Sequence, residues 1–206
     1  MASSVSMSDL PFTSIVLAGG AAHRLGGIDK PSVRVAGVSM IERVLAAAGP
    51  SGRTIVVGPA NGAVGVRTIQ ESPPGGGPVA AIGAAFATVE AEVADVVAIL
   101  GGDLPLLTAG AIAELRAIAA RGRVDGAVYV DTDGRRQWLC GAWRAASIAC
   151  RLAALVDSRG SLDGAALREL FGALAVAEVV GASDPPPWFD CDTEDDIRRA
   201  EEWLTG

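Results

Sequence analysis

Apolar residues along this chain gather into short runs rich in β-branched side chains, alternating with longer Ala-rich stretches of helical character. The short runs predict strands at Ser14 to Ala18, Thr54 to Gly58, Gly65 to Ile69, Asp95 to Leu100, Gly126 to Val130, Trp138 to Trp143 and Leu174 to Val180. Several are apolar throughout, the pattern of strands covered on both faces, whereas shorter mixed runs suit edges. The Ala-rich stretches predict helices over Pro78 to Val89, Ala109 to Arg121, Ala145 to Val156 and Leu162 to Phe171. Two further helix starts are marked by Ser39 with Glu42 and Thr193 with Asp196, the spacing of a reciprocal capping box. Strands alternating with helices in this way predict an α/β fold of three layers, αβα, around a mostly parallel sheet. Ligands of such sheets bind outside the carboxyl ends of the strands.

With 206 residues the chain fits one domain with a substantial core. No apolar run reaches the roughly 20 residues that a membrane helix needs, so no membrane association is expected. Residues 1–10 are Ser-rich, with neither a basic nor an apolar segment, and read as a disordered extension before a single domain over 11–206. Pro and Gly cluster at Pro73 to Pro78 and Pro185 to Pro187, which read as loops beside strand ends. Three cysteines, Cys140, Cys150 and Cys191, have no metal-ligand spacing, and their odd number argues against a disulfide framework and for a reducing, cytoplasmic setting. Cys140 and Cys150 are expected to be ordinary core thiols. A net charge of −7 opposes attraction to nucleic acid or an anionic membrane, so an anionic substrate needs local cations.

Local cations occur in one place of special pattern. After the first apolar run, Leu17-Ala-Gly-Gly-Ala-Ala-His-Arg-Leu-Gly-Gly-Ile-Asp-Lys30 joins a strand end, four glycines and two cations. Gly19 and Gly20 allow close approach of the main chain to a ligand, and Gly26 and Gly27 allow a doubled-back path. Freed N–H groups then cradle phosphate oxygens, with Arg24 as a rigid fork and Lys30 as a mobile point charge. The loop is not a P-loop, because Ile28 and Asp29 precede Lys30 and Pro31 follows it, where Ser or Thr is required. Gly75-Gly76-Gly77-Pro78-Val79-Ala80 loosely matches a dinucleotide fingerprint, but a proline at the first position of a helix explains it as helix initiation.

The run Leu17-Ala-Gly-Gly20 with Arg24, Gly26 and Lys30 resembles the signature of nucleotidyltransferases of the molybdenum cofactor guanylyltransferase kind. Gly77-Pro78-Val79-Ala80, Gly102-Asp103-Leu104-Pro105 and Asp190-Cys191-Asp192-Thr193-Glu194-Asp195 continue the resemblance across most of the chain, although Gly134 to Arg144 carries no matching motif. The resemblance implies a Rossmann-like, nucleotide-diphospho-sugar transferase-like fold and transfer of GMP from GTP to the phosphate of molybdopterin, with Mg²⁺ as cofactor. It implies a nucleotide site built from Leu17, Ala18, Gly19, Gly20, Gly26, Lys30, Gly58, Glu71 and Asp103, with Arg24, Lys30 and Asp103 as catalytic groups and Asp103 and Asp192 as metal ligands. Transient contact with cofactor-loading proteins follows from the same likeness. The related alternative is a cytidylyltransferase acting on molybdopterin or another small phosphorylated acceptor, since this family often has Asn where Asp190 and Asp192 stand. Rivals of another class are a non-catalytic GTP-binding protein and a dinucleotide-binding oxidoreductase.

The residues themselves add chemistry and leave alternatives. Asp103 follows Val96 to Leu100 and two glycines, where a carboxylate can hold Mg²⁺ against phosphates, or cap a helix near Thr108 or close a turn before Pro105. Asp190 and Asp192 alternate through Cys191, which on an extended segment puts both carboxylates on one face. They complete a metal site, or Asp192 caps the helix at Thr193. Glu71 ends a strand and suits guanine, whose N1–H and 2-amino group are donors, or it is simply exposed. Trp138 beside Arg135 and Arg136 either meets a pterin or packs inside. His23, the sole histidine, belongs to no recognisable acid–base relay.

Overall fold

A computed structural model describes residues 12–19, 30–49, 53–59, 65–88, 95–121, 123–180 and 184–206. Arg24, Gly20, Gly26, His23 and the proposed N-terminal extension lie outside these. The main sheet has seven strands: β1 (Thr13–Leu17), β4 (Arg53–Val57), β5 (Arg67–Ile69), β6 (Val96–Gly101), β7 (Gly126–Val130), β8 (Arg136–Arg144) and β9 (Val176–Val179). They lie in the order β5-β4-β1-β6-β8-β7-β9. Every pairing is parallel except those of β8, which runs antiparallel to both β6 and β7. Two short strands, β2 (Arg34–Val35) and β3 (Val38–Ser39), pair as a separate hairpin.

Side chains alternate across the sheet, as the two-residue period of a strand requires. Val16 of β1 and Ala98 and Leu100 of β6 join one buried cluster with Val44 of α1 (Met40–Ala48) and Ile112 and Leu115 of α3 (Ala109–Arg121). Ile15, Leu17, Val97 and Ile99 point to the opposite face. There they meet Ile82 of α2 (Pro78–Thr88), Ile148 and Leu152 of α4 (Ala145–Arg159) and Phe171 of α5 (Leu167–Phe171). The three-layer αβα reading is therefore the architecture observed. Trp143 is wholly buried in the second cluster and stacks on Phe171 with ring centroids 4.2 Å apart. Trp138 stacks on the same Phe171 at 5.6 Å, so its ring serves packing as the second reading of it holds.

Both capping boxes form. Ser39 Oγ accepts the Glu42 N–H at the start of α1, and Thr193 Oγ1 accepts the Asp196 N–H at the start of α6 (Glu194–Thr205). Three expectations change. The stretch from Leu162 is helical only from Leu167, because Asp163 and Gly164 form a turn, Gly164 at φ +66°, tied by its N–H to the Gly76 carbonyl. Strand β8 begins at Arg136 because Asp131 and Gly134 close a tight hairpin with β7, Asp131 Oδ1 accepting the N–H groups of Asp133 and Arg135. Cys150 is exposed, whereas Cys140 is buried and its thiol is pushed up to about 12 by desolvation. Among the described residues no helix is long and apolar enough to cross a membrane.

Candidate functional site

Register places the candidate residues at one level. Leu17 is paired with Val57 on one side and Gly101 on the other, so β1, β4 and β6 end together. The chain moves from β1 outward to β5 and then returns past β1 to β6, which puts the reversal of strand order beside β1 and β6, where α/β sheets bind ligands. Backbone bonds lock the exits: Ala18 N–H donates to the Val57 carbonyl (2.8 Å) and Gly102 N–H to that of Leu17 (2.9 Å). Gly58, at φ +113°, lies directly against the exit of β1, and a Cβ there would come within 2.7 Å of the Gly19 nitrogen. Gly58 thus packs directly on the backbone of Ala18 and Gly19. Gly58→Ala is expected to destabilise the fold by about 1–3 kcal/mol through backbone strain and to lower the thermal midpoint. An unchanged midpoint would show that the Gly58 and Gly19 backbones do not touch.

Lys30 opens a short 3-10 turn, Lys30–Ser32, and points its ammonium between two carboxylates. Lys30 Nζ lies 2.5 Å from Asp103 Oδ2 and 2.6 Å from Asp192 Oδ1, with side chains 17%, 27% and 44% exposed respectively. Burial alone lowers the Lys30 pKa, but the charge of Asp103 and hydrogen bonds to Asp103 and Asp192 outweigh it, and the net shift is upward. Asp190 stands close enough for Asp103 and Asp192 to act on it. Desolvation first, then those two negative charges, raise its carboxyl above the ordinary range even though one side of the residue is open to solvent. The two capping alternatives are not what forms: Thr108 Oγ1 accepts the Ala111 N–H at α3, and Thr193 fills the N-cap of α6.

A third, smaller hydrophobic cluster joins the segments that carry these charges. Val35 and Met40 from the hairpin region, Leu106 after β6, Cys191, and Ala200 of α6 are all buried together. Cys191 N–H donates to the Asp103 carbonyl (3.2 Å), and Glu201 of α6 accepts the Ala36 N–H (3.0 Å). Sequence reading missed the hairpin of β2 and β3, whose two-residue strands are too short for a periodic signal. It also passed over a plain count: Lys30 is the chain's single lysine, every other fixed cation being arginine.

Two cavities flank the charged cluster. One, of about 470 Å³, is lined by Leu17, Gly19, Glu71, Gly75, Gly77 and Pro78 among others. Glu71 Oε1 accepts the Gly75 N–H (2.9 Å), so one carboxylate oxygen is held by the loop, which Gly75 enters at φ +85°. Pro78 begins α2, which is the helix-initiation reading of the glycine run. The other, of about 580 Å³, is lined by Asp131, Trp188, Asp190, Arg199 and Trp203. A third, of about 520 Å³ and lined by Arg53, Thr54 and Arg67, lies at the amino ends of β4 and β5, away from these groups.

The carboxylates of Asp103 and Asp192 are hard oxygen donors already gathered about one positive charge, the chemistry Mg²⁺ also requires. Among the described residues no three His, Cys, Asp or Glu side chains are grouped to hold a metal by themselves. Two carboxylates with substrate oxygens and water suit Mg²⁺, which seldom takes an all-protein cage.

Residues 14–177 match the family described as the MobA-like NTP transferase domain. Over 209 aligned residues the chain is 30% identical to a molybdenum cofactor guanylyltransferase of Rhodopseudomonas palustris, covering 95% of each protein. It is 36% identical over 126 residues to a probable molybdenum cofactor guanylyltransferase of Haloferax mediterranei, covering 56% of each. Among solved structures it resembles molybdopterin-guanine dinucleotide biosynthesis protein A from Archaeoglobus fulgidus, with a TM-score of 0.74 and 20% identity over 94% of this chain and 99% of that one. It also resembles 2-C-methyl-D-erythritol 4-phosphate cytidylyltransferase from Thermus thermophilus, at TM-score 0.68 and 16% identity over 93% of this chain and 98% of that one. At these identities the structural likenesses speak for the fold.

Proposed function

The chain belongs to the MobA-like NTP transferase family, and from that premise we propose that it moves GMP from GTP to the phosphate of a molybdopterin-type acceptor. The observation that carries this reading is the meeting of Lys30, Asp103 and Asp192 at the shared ends of β1 and β6, beside a cavity with Glu71 on its wall. In the reaction an acceptor phosphate oxygen attacks the α-phosphorus of GTP in line, the bond to the bridging oxygen of the β-phosphate breaks, and pyrophosphate leaves. The attacking phosphate is largely ionised at neutral pH, so it needs no protein base.

The protein's part is positioning and charge. Gly19, with Gly20 and Gly26 of the loop that follows it, would supply main-chain donors to the phosphates, and Arg24 and Lys30 positive charge. Asp103 and Asp192 would hold Mg²⁺, which when bound contributes neutralisation of the phosphate oxygens. Holding the triphosphate at the strand ends fixes the approach of the acceptor, and orientation of this kind is itself a large share of catalysis.

Glu71 favours guanine over cytosine. A carboxylate accepts the N1–H and 2-amino hydrogens of guanine, whereas cytosine presents acceptors at N3 and O2 and meets it unfavourably. With Oε1 engaged by Gly75, Glu71→Gln should cost GTP use about 1 kcal/mol, roughly fivefold in kcat/KM. Use of CTP should not fall. Steady-state comparison of GTP, ITP and CTP checks this, and unchanged preference would move selectivity to the backbone of Leu17 to Gly19.

Pyrophosphate release, measured with each nucleotide in the presence and absence of molybdopterin, tests the whole reading. Magnesium-dependent release with GTP and acceptor together is expected. Release with CTP in its place would make the protein a cytidylyltransferase, and no release with any nucleotide would remove the transferase reading.

A further inference from the structure

Lys30 is the only lysine in a chain whose cationic side chains number 17 in all. Its ammonium sits at 2.5 Å and 2.6 Å from carboxylate oxygens of residues 73 and 162 positions away. Two acidic oxygens converging on one compact charge form the surroundings that a hard divalent cation seeks. An arginine fork would meet the two carboxylates through separate nitrogens, whereas an ammonium presents its charge at a point and can be exchanged for another point charge.

We propose that Lys30 is a displaceable occupant of the divalent-cation position, so that cation and nucleotide enter the site together and a cation alone is kept out. The proposal rests on the transferase reading for the identity of the nucleotide. Without nucleotide, Lys30 neutralises Asp103 and Asp192. An incoming triphosphate offers oxygens of greater negative charge, draws the ammonium toward itself, and leaves the two carboxylates to the cation that accompanies it. The backbone can stay in place during this exchange, because the Lys30 carbonyl accepts the Val33 N–H (3.1 Å) and Pro31 is buried. Only the flexible four-carbon stem has to swing. Linkage makes the effect reciprocal: if nucleotide relieves the block against the cation, cation tightens nucleotide by the same factor.

Mn²⁺ alone is the probe, its binding to the full-length, nucleotide-free protein read by electron paramagnetic resonance. Lys30→Met is expected to bind Mn²⁺ at least about tenfold more tightly than the parent, the scale of an ordinary coupling between sites. Adding Asp103→Asn should remove that gain. A Lys30→Met affinity within twofold of the parent's overturns the proposal. A second measurement needs no variant: with ε-¹³C-lysine the parent carries one ε-methylene signal. Mg²⁺ alone should leave the signal in place, and Mg²⁺ with α,β-methylene GTP should move it. Displacement by Mg²⁺ alone, or a fixed signal while calorimetry shows the analogue bound, overturns the proposal. The Mn²⁺ measurement involves neither GTP nor acceptor, so its failure leaves the transferase reading standing. Absent pyrophosphate release with the Mn²⁺ result as expected removes that reading alone.

Discussion

Asp103→Ala is expected to lose at least a hundredfold in kcat, about 3 kcal/mol of transition-state stabilisation, while remaining folded. The residue stands at the exit of β6 with its carboxylate turned to Lys30, and its loop is held independently of that side chain by the Cys191 N–H on the Asp103 carbonyl and by buried Leu104, Leu106 and Leu107. Loss of the partly exposed ion pair costs about 1 kcal/mol or less. It is offset in part because Asp103 is one of the charges that raise the Asp190 carboxyl. Circular dichroism and the thermal midpoint should therefore stay near the parent's as magnesium-dependent pyrophosphate release collapses. Near-parental release would sink the metal assignment. A collapse of the midpoint with modest kinetic change would make Asp103 a structural anchor.

Lys30→Ala is expected to be nearly as damaging to turnover, about a hundredfold, because it deletes a charge-assisted contact to the triphosphate and a cation from a site dominated by acids. Its distinguishing mark is that binding of a free divalent cation should rise while GTP affinity falls. Stability carries a second signature. The Lys30 pKa is raised above its ordinary 10.5, so its stabilising contribution is complete below that value and is lost as pH climbs through the higher folded value. The difference in thermal midpoint between parent and variant should accordingly be flat through the neutral range and, on the alkaline side, narrow only in strong alkali. Narrowing that sets in between neutral pH and about pH 9 would mean that Lys30 is not paired with Asp103 and Asp192.

Much of the frame was legible because it depends on local patterns. All seven strands of the main sheet arise from the apolar runs that predict them, and both capping boxes form at Ser39 and Thr193. What the sequence does not carry is direction and distance. Nothing in the composition of Arg136–Arg144 says that this strand turns back antiparallel; the turn at Asp131 and Gly134 decides it, through side-chain bonds to the backbone. Glycine spacing points to a phosphate loop, but Arg24, Gly20 and Gly26 lie outside the described residues, and the association of Lys30 with Asp192 spans most of the chain. Glu71 illustrates the middle case: its residue type suggests base recognition, yet only the fold reveals that Gly75 already holds one of its oxygens.

The small cluster of Val35, Met40, Leu106, Cys191 and Ala200 also bears on how a newly made chain acquires its site. Its members come from the hairpin region, the segment after β6, and the segment that leads into and forms α6. Closing so long a loop adds little entropy beyond a shorter one, since the cost grows only with the logarithm of length. Order of appearance matters more, because synthesis delivers the amino-terminal part first. Strands β1, β4 and β6 can associate while the rest is still being made, but Lys30 meets Asp192 only after 162 further positions have been added. Maturation of the site is thereby tied to synthesis of the Asp192 segment, and a nascent chain bearing the whole glycine loop still lacks the carboxylate that completes the cluster.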